Sequence, residues 1–313
     1  MRTAFIETLF ELAGRDSRVC LIVGDLGYSV IENFAKSYPN QFVNAGVAEQ
    51  DMVGIAAGMA LSGKIVFTYS IANFATVRCL EQIRNDVCYH SANVKVVAVG
   101  GGVAYGMLGA SHHATEDLAI MRSLPDMVVV APGDPIEAAL ATRAIAARPG
   151  PAYLRLGKTG EKLVHSSPPD FQIGKAIMVR QGSDTTLIAT GAMLPTGVEV
   201  SDRLAASGVS ARVLSMHTLS PIDNAAIEAA ARETPFIVTL EEHSITGGLG
   251  SAVAEVLAGM EGSRAQLRRL GLPPRFNSRV GDQRYLRTVH SLDPDGVTSS
   301  INSILENVHR LVR

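Results

Sequence analysis

Apolar positions along the chain fall into two alternating patterns. Short continuous runs, such as VCLIVGD at 19–25 and VKVVAVGGG at 94–102, predict buried strands. Longer stretches between such runs predict helices, at 4–13, 49–61, 76–90, 114–123 and 135–147. Continuous Val, Ile and Leu runs that alternate with helices are typical of parallel sheets covered on both faces. The predicted fold class is therefore α/β.

The alternation is interrupted once, by a Pro- and Ser-rich stretch of weak periodicity, LVHSSPPDFQ. The chain of 313 residues also exceeds what one hydrophobic core usually fills. We therefore predict two consecutive parallel-sheet, three-layer domains, at 1–163 and 174–313, joined by a linker at 164–173. In the second domain the pattern predicts a strand at 211–223, helices at 194–206, 224–232 and 250–257, and a terminal helix at 299–312.

Composition narrows the classes of partner. The formal net charge is −2 and no run of Lys or Arg is present, so neither a nucleic acid nor a membrane surface is expected as a partner. The three cysteines lack metal-ligand spacing and the first residues lack the pattern of a signal peptide, which favours the cytoplasm. Hydrophobic residues make up 47% of the chain, which predicts a large subunit interface.

Unusual residues cluster in loops that follow predicted strands, where open parallel sheets bind ligands. Glu49 begins the predicted helix 49–61, where backbone amides favour a carboxylate, so helix capping alone could account for it. However, the following MVGIAAGMALSG has no polar face, and a buried unpaired carboxylate is costly unless it is protonated or bound to a partner. Glu49 is therefore a candidate functional acid.

The segment GGGVAYGMLGASHHATED at 100–117 is the other chemical candidate. Gly100, Gly102 and Gly106 miss the dinucleotide-binding spacing by one residue, so a nicotinamide oxidoreductase is a remote alternative. Adjacent His112 and His113 cannot bind one metal ion as an i, i+4 pair does, and no metal site is predicted in this chain. We expect His112 to face a cleft and His113 to face solvent or to cap a helix.

Several separately spaced motifs together resemble one family. GDLGYS, GVAEQDM, YSIANF, GASHHATEDLAIMRSLPDM, GPAYLRLGK, TLSPID and EEHSITGGLG stand in the order found in the pyrimidine-binding and C-terminal domains of transketolase. The resemblance covers essentially the whole chain. The family's diphosphate-and-metal motif, a Gly-Asp-Gly followed by paired asparagines, has no counterpart here.

The resemblance implies the C-terminal subunit of a split transketolase. Its cofactor would be thiamine diphosphate, whose phosphates and Mg²⁺ or similar divalent ion would be held by a separate N-terminal subunit. Two copies of each subunit, with this chain associating with itself through both domains, form the simplest closed symmetry.

The resemblance also implies residues of the cofactor site. Glu49 matches the acid that hydrogen-bonds the pyrimidine ring in its protonated form, and Phe74 matches the aromatic residue that stacks on that ring. Ile71 stands where many relatives carry another aromatic residue. Asp25 and Leu26 match a cofactor-facing loop, although an aspartate at a strand end is commonly a turn residue.

The substrate residues implied by the resemblance lie in other loops. His112 matches a histidine that reaches the donor's C1 hydroxyl and the reaction intermediate. Arg2 and Ser29 match residues that bind the sugar phosphate, and Lys158 occupies the place of a phosphate-binding arginine. A solvated Arg2 at a flexible terminus is the simpler alternative.

Two departures from the family put the ordinary ketose-phosphate donor in doubt. Leu108 replaces an aspartate that reads the donor hydroxyls, and the Gly100–Gly102 run replaces a histidine at a strand end. An altered sugar donor is expected, because an apolar side chain cannot replace lost hydrogen bonds.

The predicted function is transfer of a two-carbon ketol unit from a ketose, phosphorylated in the simplest case, to an aldose acceptor. The alternatives are the β subunit of a 2-oxo acid dehydrogenase E1 component, an enzyme like deoxyxylulose phosphate synthase, and a non-catalytic scaffold subunit. The motif SHHATED together with Arg2 and Ser29 favours transketolase over the decarboxylating enzymes.

Overall fold

The computed structural model describes residues 1–262 and 264–311, and within them the chain forms two α/β domains. The predicted fold class is confirmed. The strands of the first half are β1 (Val19–Val23), β2 (Phe42–Asn44), β3 (Ile65–Ile71), β4 (Val94–Val99), β5 (Val128–Val130) and β6 (Ala152–Leu156). The helices of the first half are α1 (Arg2–Arg15), α2 (Glu32–Ser37), α3 (Glu49–Leu61), α4 (Ala72–Thr76), α5 (Leu80–Gln82), α6 (Asp117–Arg122) and α7 (Pro135–Ala147).

The second half repeats this plan. Its strands are β7 (Ile177–Arg180), β8 (Thr185–Ala189), β9 (Ala211–Ser215), β10 (Thr218–Ser220), β11 (Phe236–Ser244) and β12 (Gln266–Leu272). Its helices are α8 (Leu194–Ala206), α9 (Asn224–Glu233), α10 (Leu249–Ala258), α11 (Gln283–Val289) and α12 (Pro294–Leu311). The predicted terminal helix is present but begins earlier, at Pro294, and the predicted end at Val312 lies outside the described residues.

Both sheets are mixed rather than wholly parallel. The first has seven strands in the order β10-β5-β6-β4-β3-β1-β2, and the second has five in the order β12-β11-β8-β9-β7. β10 pairs antiparallel with β5, and β7 pairs antiparallel with β9, while the other pairs are parallel. Because β10 belongs to the second half of the chain, the two domains share the first sheet.

Continuous apolar runs produce the buried strands. Every residue of β1, β4 and β6 is buried, as expected for strands covered on both faces. One face of the first sheet packs against α1 and α7, where Phe5 stacks on Tyr69 with ring centroids 5.9 Å apart. The other face forms a core with α3 that continues into the second domain through Ile188 and Leu214.

Local sequence signals fix several helix starts. Asp134, Asp223 and Asp282 each accept a hydrogen bond from a backbone amide in the first turn of the following helix. This capping satisfies amides that have no partner within the helix. The bounds of α3, α7 and α8 agree with the predicted helices at 49–61, 135–147 and 194–206.

Three predicted elements were wrong in detail. The helix predicted at 76–90 is broken into α4, a 3₁₀ turn at Val77–Cys79, α5 and a π-helical segment at Ile83–Cys88. The strand predicted at 211–223 is split into β9 and β10, which lie in different sheets. The helix predicted at 114–123 begins only at Asp117, because Ala114 forms a β-bridge with Gly102.

No helix in the described part of the chain combines the length and the apolar character needed to cross a bilayer.

Candidate active site

The strand order places four chain segments along one edge of the first sheet. β6, β4, β3 and β1 are parallel neighbours, so the residues that follow each of them emerge at the same edge. These segments begin at Gly157, Gly100, Ala72 and Gly24. Helix α3 begins beside them, because β2 lies next to β1 in the same direction. The predicted loops therefore do lie at one edge.

Glu49 is the first residue of α3, and its side chain is buried, with 1% of its surface exposed. Its Oε1 accepts a hydrogen bond from the Ser70 hydroxyl at 3.1 Å, and its Oε2 accepts one from Arg78 Nη1 at 2.6 Å. Gly24 leaves room for this carboxyl, because a Cβ there would lie 3.2 Å from Glu49 Cγ. Glu49 is therefore buried within this single chain, and the partner of its carboxyl is Arg78.

Arg78 also covers the neighbouring aromatic ring. Its guanidinium carbon lies 4.3 Å from the centroid of the Phe74 ring, at cation–π distance. The Phe74 ring is half-buried, whereas the Arg78 side chain is 42% exposed. One cation thus contacts both the acid and the aromatic residue that the sequence singled out.

His112 stands beside Phe74 on the glycine-rich loop. The two rings meet edge to face with centroids 5.0 Å apart, and His112 Nδ1 lies 3.0 Å from the Ser111 hydroxyl. The side-chain amide of Asn73 donates a hydrogen bond to the Ser111 backbone carbonyl at 2.7 Å, which connects this loop to α4. Glu49, Phe74 and His112 are therefore brought together: Arg78 connects Glu49 to Phe74, and the Phe74 ring contacts His112.

His113 does not face solvent or cap a helix, as the sequence led us to expect. The Gly102–Ala114 bridge draws it beneath the loop, where it is 5% exposed and its Nε2 has no hydrogen-bond partner. Burial lowers the pKa of His113 below its usual value, which favours the neutral ring.

The second domain also makes hydrogen bonds that hold the glycine-rich loop in place. Glu242 Oε1 accepts a hydrogen bond from the Val103 amide at 2.8 Å. Arg155 donates to the carbonyls of Ala114 and Glu242 at 2.9 and 3.0 Å, and pairs with buried Asp117 at 2.7 Å. The position of the glycine-rich loop therefore depends on residues of both domains.

Arg2 and Lys158 form a second group at this edge. They line one cavity of about 330 Å³ beside the starts of α1 and α7. The Met1 amino group pairs with Glu161 at 2.9 Å, so Arg2 follows an anchored residue rather than a solvated terminus. Burial raises the pKa of the Tyr69 phenol, and the positive charge of Arg2 opposes that increase, so the two side chains lie close together.

The remaining predicted cofactor residues lie near this edge but make other contacts. Asp25 adopts a positive φ of 53° and exchanges hydrogen bonds with Asn44, at 3.0 and 3.2 Å. Leu26 is half-buried, and Ile71 is buried at the end of β3. These contacts are those expected of a turn that fixes the loop after β1.

Ser29 and Leu108 are not part of either group. The Ser29 amide donates to Glu32 at 2.6 Å, and no hydrogen bond among the described residues joins Ser29 to Arg2 or Lys158. Leu108 is 54% exposed at the outer end of the glycine-rich loop.

Three residues of the site were missed from the sequence. Ser70 and Arg78 bind Glu49, and Tyr105 lies between His112 and Lys158. Arg78 follows Phe74 by four residues, the spacing of neighbours on a helix, which was a usable signal. Nothing in the local pattern distinguished Tyr105 from a loop residue.

These features define a class of protein. A buried carboxyl, a half-exposed aromatic ring, a histidine and a pair of cations lie at the carboxyl edge of an α/β sheet. Among the described residues, no cluster of three or more His, Cys, Asp or Glu side chains could hold a metal ion. The carboxyl and the ring offer a hydrogen-bonding group beside a stacking surface, and the two cations supply positive charge at the same edge.

Comparison with known proteins identifies the family. Residues 1–160 match the transketolase pyrimidine binding domain, and residues 174–297 match the transketolase C-terminal domain. The chain is 41% identical over 304 residues to a provisionally named transketolase C-terminal section of Methanocaldococcus jannaschii, covering 96% of this chain and 95% of that one. It is 39% identical to one of the subunits of apulose-4-phosphate transketolase from Phocaeicola vulgatus, covering 95% and 94%.

A solved structure agrees with these relatives. It is described as a split gene transketolase, an inactive β4 tetramer, and it shares 37% identity with a TM-score of 0.87 while 96% of each chain is covered. The chain belongs to the transketolase family, as a subunit of the split type that carries the pyrimidine-binding and C-terminal domains. The resemblance stated from the motifs is confirmed.

The residues present fit the pyrimidine part of thiamine diphosphate, the family's cofactor. The buried carboxyl of Glu49 can donate or accept a hydrogen bond at a ring nitrogen, and the ring of Phe74 offers a stacking surface. In the present arrangement Arg78 contacts both groups, and its own side chain is 42% exposed. Residues for the diphosphate are not found in the motifs of this chain.

Proposed function

We propose that this chain is the C-terminal subunit of a thiamine diphosphate-dependent transketolase of the two-subunit type. It would act in transferring a two-carbon ketol unit from a phosphorylated ketose to an aldose acceptor. The relatives named above are transketolase subunits, which supports this function over the decarboxylating alternatives. The single observation that carries the proposal is the buried Glu49 carboxyl beside the half-exposed Phe74 ring.

In this proposal Glu49 and Phe74 bind the aminopyrimidine, with Asp25, Leu26 and Ile71 shaping the surrounding loop. When bound, thiamine diphosphate supplies the electron sink needed to break and remake a bond beside a ketone. Glu49 would hydrogen-bond a pyrimidine ring nitrogen in place of Arg78, with its carboxyl shielded from water.

The substrate is held by a separate group of side chains. His112 lies 5.0 Å from the Phe74 ring, so it can reach a substrate bound next to the cofactor. Arg2 and Lys158 line the neighbouring cavity and supply the positive charge for a terminal phosphate. Ser29 would join them only after a rearrangement of the loop after β1, because its present hydrogen bond is to Glu32.

Two features suggest a partner subunit: an exposed apolar face of α3, and the lack of the diphosphate-and-metal motif among the motifs of this chain. The outer face of α3 exposes Ile55 and Leu61, at 42% and 62%, around glycines 54 and 58, whose Cα positions have open space in front of them. An apolar helix face with close-approach glycines suits a tight interface. We propose that two copies of this chain assemble with two N-terminal subunits, which hold the diphosphate and a divalent ion such as Mg²⁺.

The compartment is also a proposal. Cys20, Cys79 and Cys88 are free and buried, and burial raises the pKa of the Cys79 thiol to about 12 and that of Cys88 to about 11. Inert, unpaired thiols suit the cytoplasm.

The function is tested by reconstituting the chain with a candidate N-terminal subunit from the same genome. We expect thiamine diphosphate-dependent ketol transfer from a ketose phosphate to an aldose, with no activity from this chain alone. Glu49→Ala should leave assembly intact and reduce kcat by about 100-fold or more. Release of CO₂ from pyruvate in place of transfer would favour the 2-oxo acid dehydrogenase or deoxyxylulose phosphate synthase alternatives. Full activity of Glu49→Ala would contradict the proposed site.

A further inference from the structure

Tyr105 connects the two groups of side chains in the site. Its ring centroid lies 6.3 Å from that of His112, and Lys158 Nζ lies 4.6 Å from the Tyr105 ring. The Tyr105 side chain is half-buried, so one part is fixed by the protein and another remains accessible. A substrate extending from His112 towards Lys158 would therefore pass this ring.

Gly100 makes this position possible. Gly100 has a positive φ of 78°, and a Cβ placed on it would lie 2.1 Å from Tyr105 Cε2. Contacts under 3.0 Å are essentially never tolerated, so any side chain at position 100 would exclude the Tyr105 ring. The space in front of Gly100 is thus filled by an aromatic ring that comes from five residues further along the chain.

The charges around the Tyr105 hydroxyl suit an anion. Burial raises the pKa of this phenol, and the positive charge of Arg2 opposes the increase, so Arg2 lies within electrostatic range of the hydroxyl. The phenol is protonated at neutral pH and can donate a hydrogen bond. Lys158 Nζ lies over the same ring and lines one cavity with Arg2, so a hydroxyl donor on this ring is complementary to the oxygens of a phosphate bound there.

We propose that Tyr105 is a specificity-determining residue for the donor substrate, whose hydroxyl donates a hydrogen bond to the donor's terminal phosphate between Arg2 and Lys158. The proposal rests on the proposed function and names a further residue of the phosphate-binding part of that site. The Tyr105 ring also fixes the distance between the anionic end of the donor and His112. The terminal anion of the donor then becomes the main determinant of donor choice.

Tyr105→Phe tests the hydroxyl while keeping the ring. In the reconstituted complex, kcat/KM for a phosphorylated ketose donor should fall by about 10-fold or more, mainly through KM, because a hydrogen bond to a charged group is lost. For the same ketose without phosphate, kcat/KM should change by less than about 2-fold. The matched control Tyr89→Phe alters a tyrosine that is 84% exposed and should change neither value. An equal loss for both donors, or no loss for either, would overturn the proposal.

A binding measurement tests the same claim without catalysis. Inorganic phosphate is titrated by calorimetry into the complex lacking thiamine diphosphate, and Tyr105→Phe should bind it about 10-fold more weakly than the wild type. Gly100→Ala should weaken it as well, because the added methyl group would displace the Tyr105 ring. Unchanged phosphate affinity in Tyr105→Phe would overturn the proposal.

The outcomes separate this proposal from the proposed function. If the wild-type complex transfers no ketol unit from any donor, the proposed function fails while the phosphate titration still decides the role of Tyr105. If transfer occurs and both donors respond alike to Tyr105→Phe, only the role of Tyr105 fails.

Discussion

At the scale of single residues, the contact between Arg78 and Glu49 determines which partner the buried carboxyl has in this chain. The carboxyl is 1% exposed and therefore requires compensation, which Arg78 Nη1 provides at 2.6 Å. The same guanidinium lies over Phe74. Arg78 thus occupies the surfaces that the aminopyrimidine would need, and cofactor binding would exchange one partner of Glu49 for another.

A double-mutant cycle measures this contact. Arg78→Ala should lower the free energy of unfolding by about 1 to 3 kcal/mol, less than for a fully buried pair, because the Arg78 side chain is 42% exposed. In the Glu49→Gln background the same substitution should cost less, because no buried charge is left unpaired. Urea unfolding of the four proteins provides the values. Costs that add within about 0.5 kcal/mol would show that the two side chains do not interact.

At the scale of elements, the glycine-rich loop is positioned by the second domain rather than by its own sequence. The Glu242 carboxylate in β11 accepts a hydrogen bond from the Val103 amide. It also accepts hydrogen bonds from the side chains of Gln283 and Arg287 in α11. The second domain therefore contributes to the candidate site by holding the glycine-rich loop in place.

Glu242→Gln tests this support. The substitution leaves Arg287 without its buried partner and weakens the acceptor for Val103, so stability should fall by about 3 kcal/mol. Exchange of the Val103 amide with deuterium should accelerate more than that of the amides in β6, measured by NMR or mass spectrometry. Glu255→Gln, which breaks an ion pair whose glutamate is 64% exposed, is the control and should cost at most about 1 kcal/mol. Equal protection of Val103 in Glu242→Gln and the wild type would contradict this role.

Strand β4 contains a buried lysine whose pKa makes stability depend on pH. Lys95 is fully buried, with Nζ donating to the carbonyls of Arg148 and Gly150 at 2.8 and 2.5 Å, and burial lowers its pKa from 10.5 to about 7. Between these values the unfolded chain binds a proton that the folded chain lacks, so stability rises with pH across this window.

Lys95→Met should remove this pH dependence, which is at most about 1.4 kcal/mol per pH unit. The measurement is urea unfolding of both proteins at several pH values above about 7. Lys175→Met, at a lysine whose side chain is 63% exposed, should retain the wild-type slope. The same slope in Lys95→Met as in the wild type would show that Lys95 is not the group responsible.

The sequence predicted elements whose signals are local. The apolar runs of β1 and β4 and the helix α3 appear at the expected positions, and so does Glu49 as a buried acid. β12 was missed because it is an edge strand that carries exposed Arg268 and Arg269, so it lacks an apolar pattern.

Other features depend on contacts between distant parts of the chain, which no local pattern contains. The split between β9 and β10 arises because β10 pairs with β5 of the other domain. The position of Tyr105 depends on the space at Gly100, and the burial of His113 depends on the Gly102–Ala114 bridge. The sequence therefore named the main acid and aromatic residue but could not show that Arg78 connects them.

At the scale of the whole molecule, some large apolar side chains remain exposed on the surface of the single chain. Val47, Ile55, Leu61 and Val77 are each at least 42% exposed and lie on or beside the face of α3 next to the candidate site. A chain with 47% hydrophobic residues can cover such a face by assembly. The face lies close to Glu49, so a partner chain that binds there would also close the site.

Ile55→Asp should prevent this assembly without unfolding the chain. Because Ile55 is 42% exposed in the single chain, the substitution should cost little stability, about 1 kcal/mol, whereas a buried aspartate in an interface is costly. Sedimentation velocity should show a smaller species at equal far-ultraviolet circular dichroism. Leu163→Asp, at a leucine that is 67% exposed near the linker, should leave the assembly unchanged. Wild-type sedimentation of Ile55→Asp would rule out this face as the interface.

The most direct test of the proposed site is a structure of the reconstituted complex with thiamine diphosphate bound. We predict that the Glu49 carboxyl lies within hydrogen-bond distance of a pyrimidine ring nitrogen, with Phe74 against the ring and Arg78 moved away from both. A cofactor bound elsewhere, with Arg78 still paired to Glu49, would contradict it.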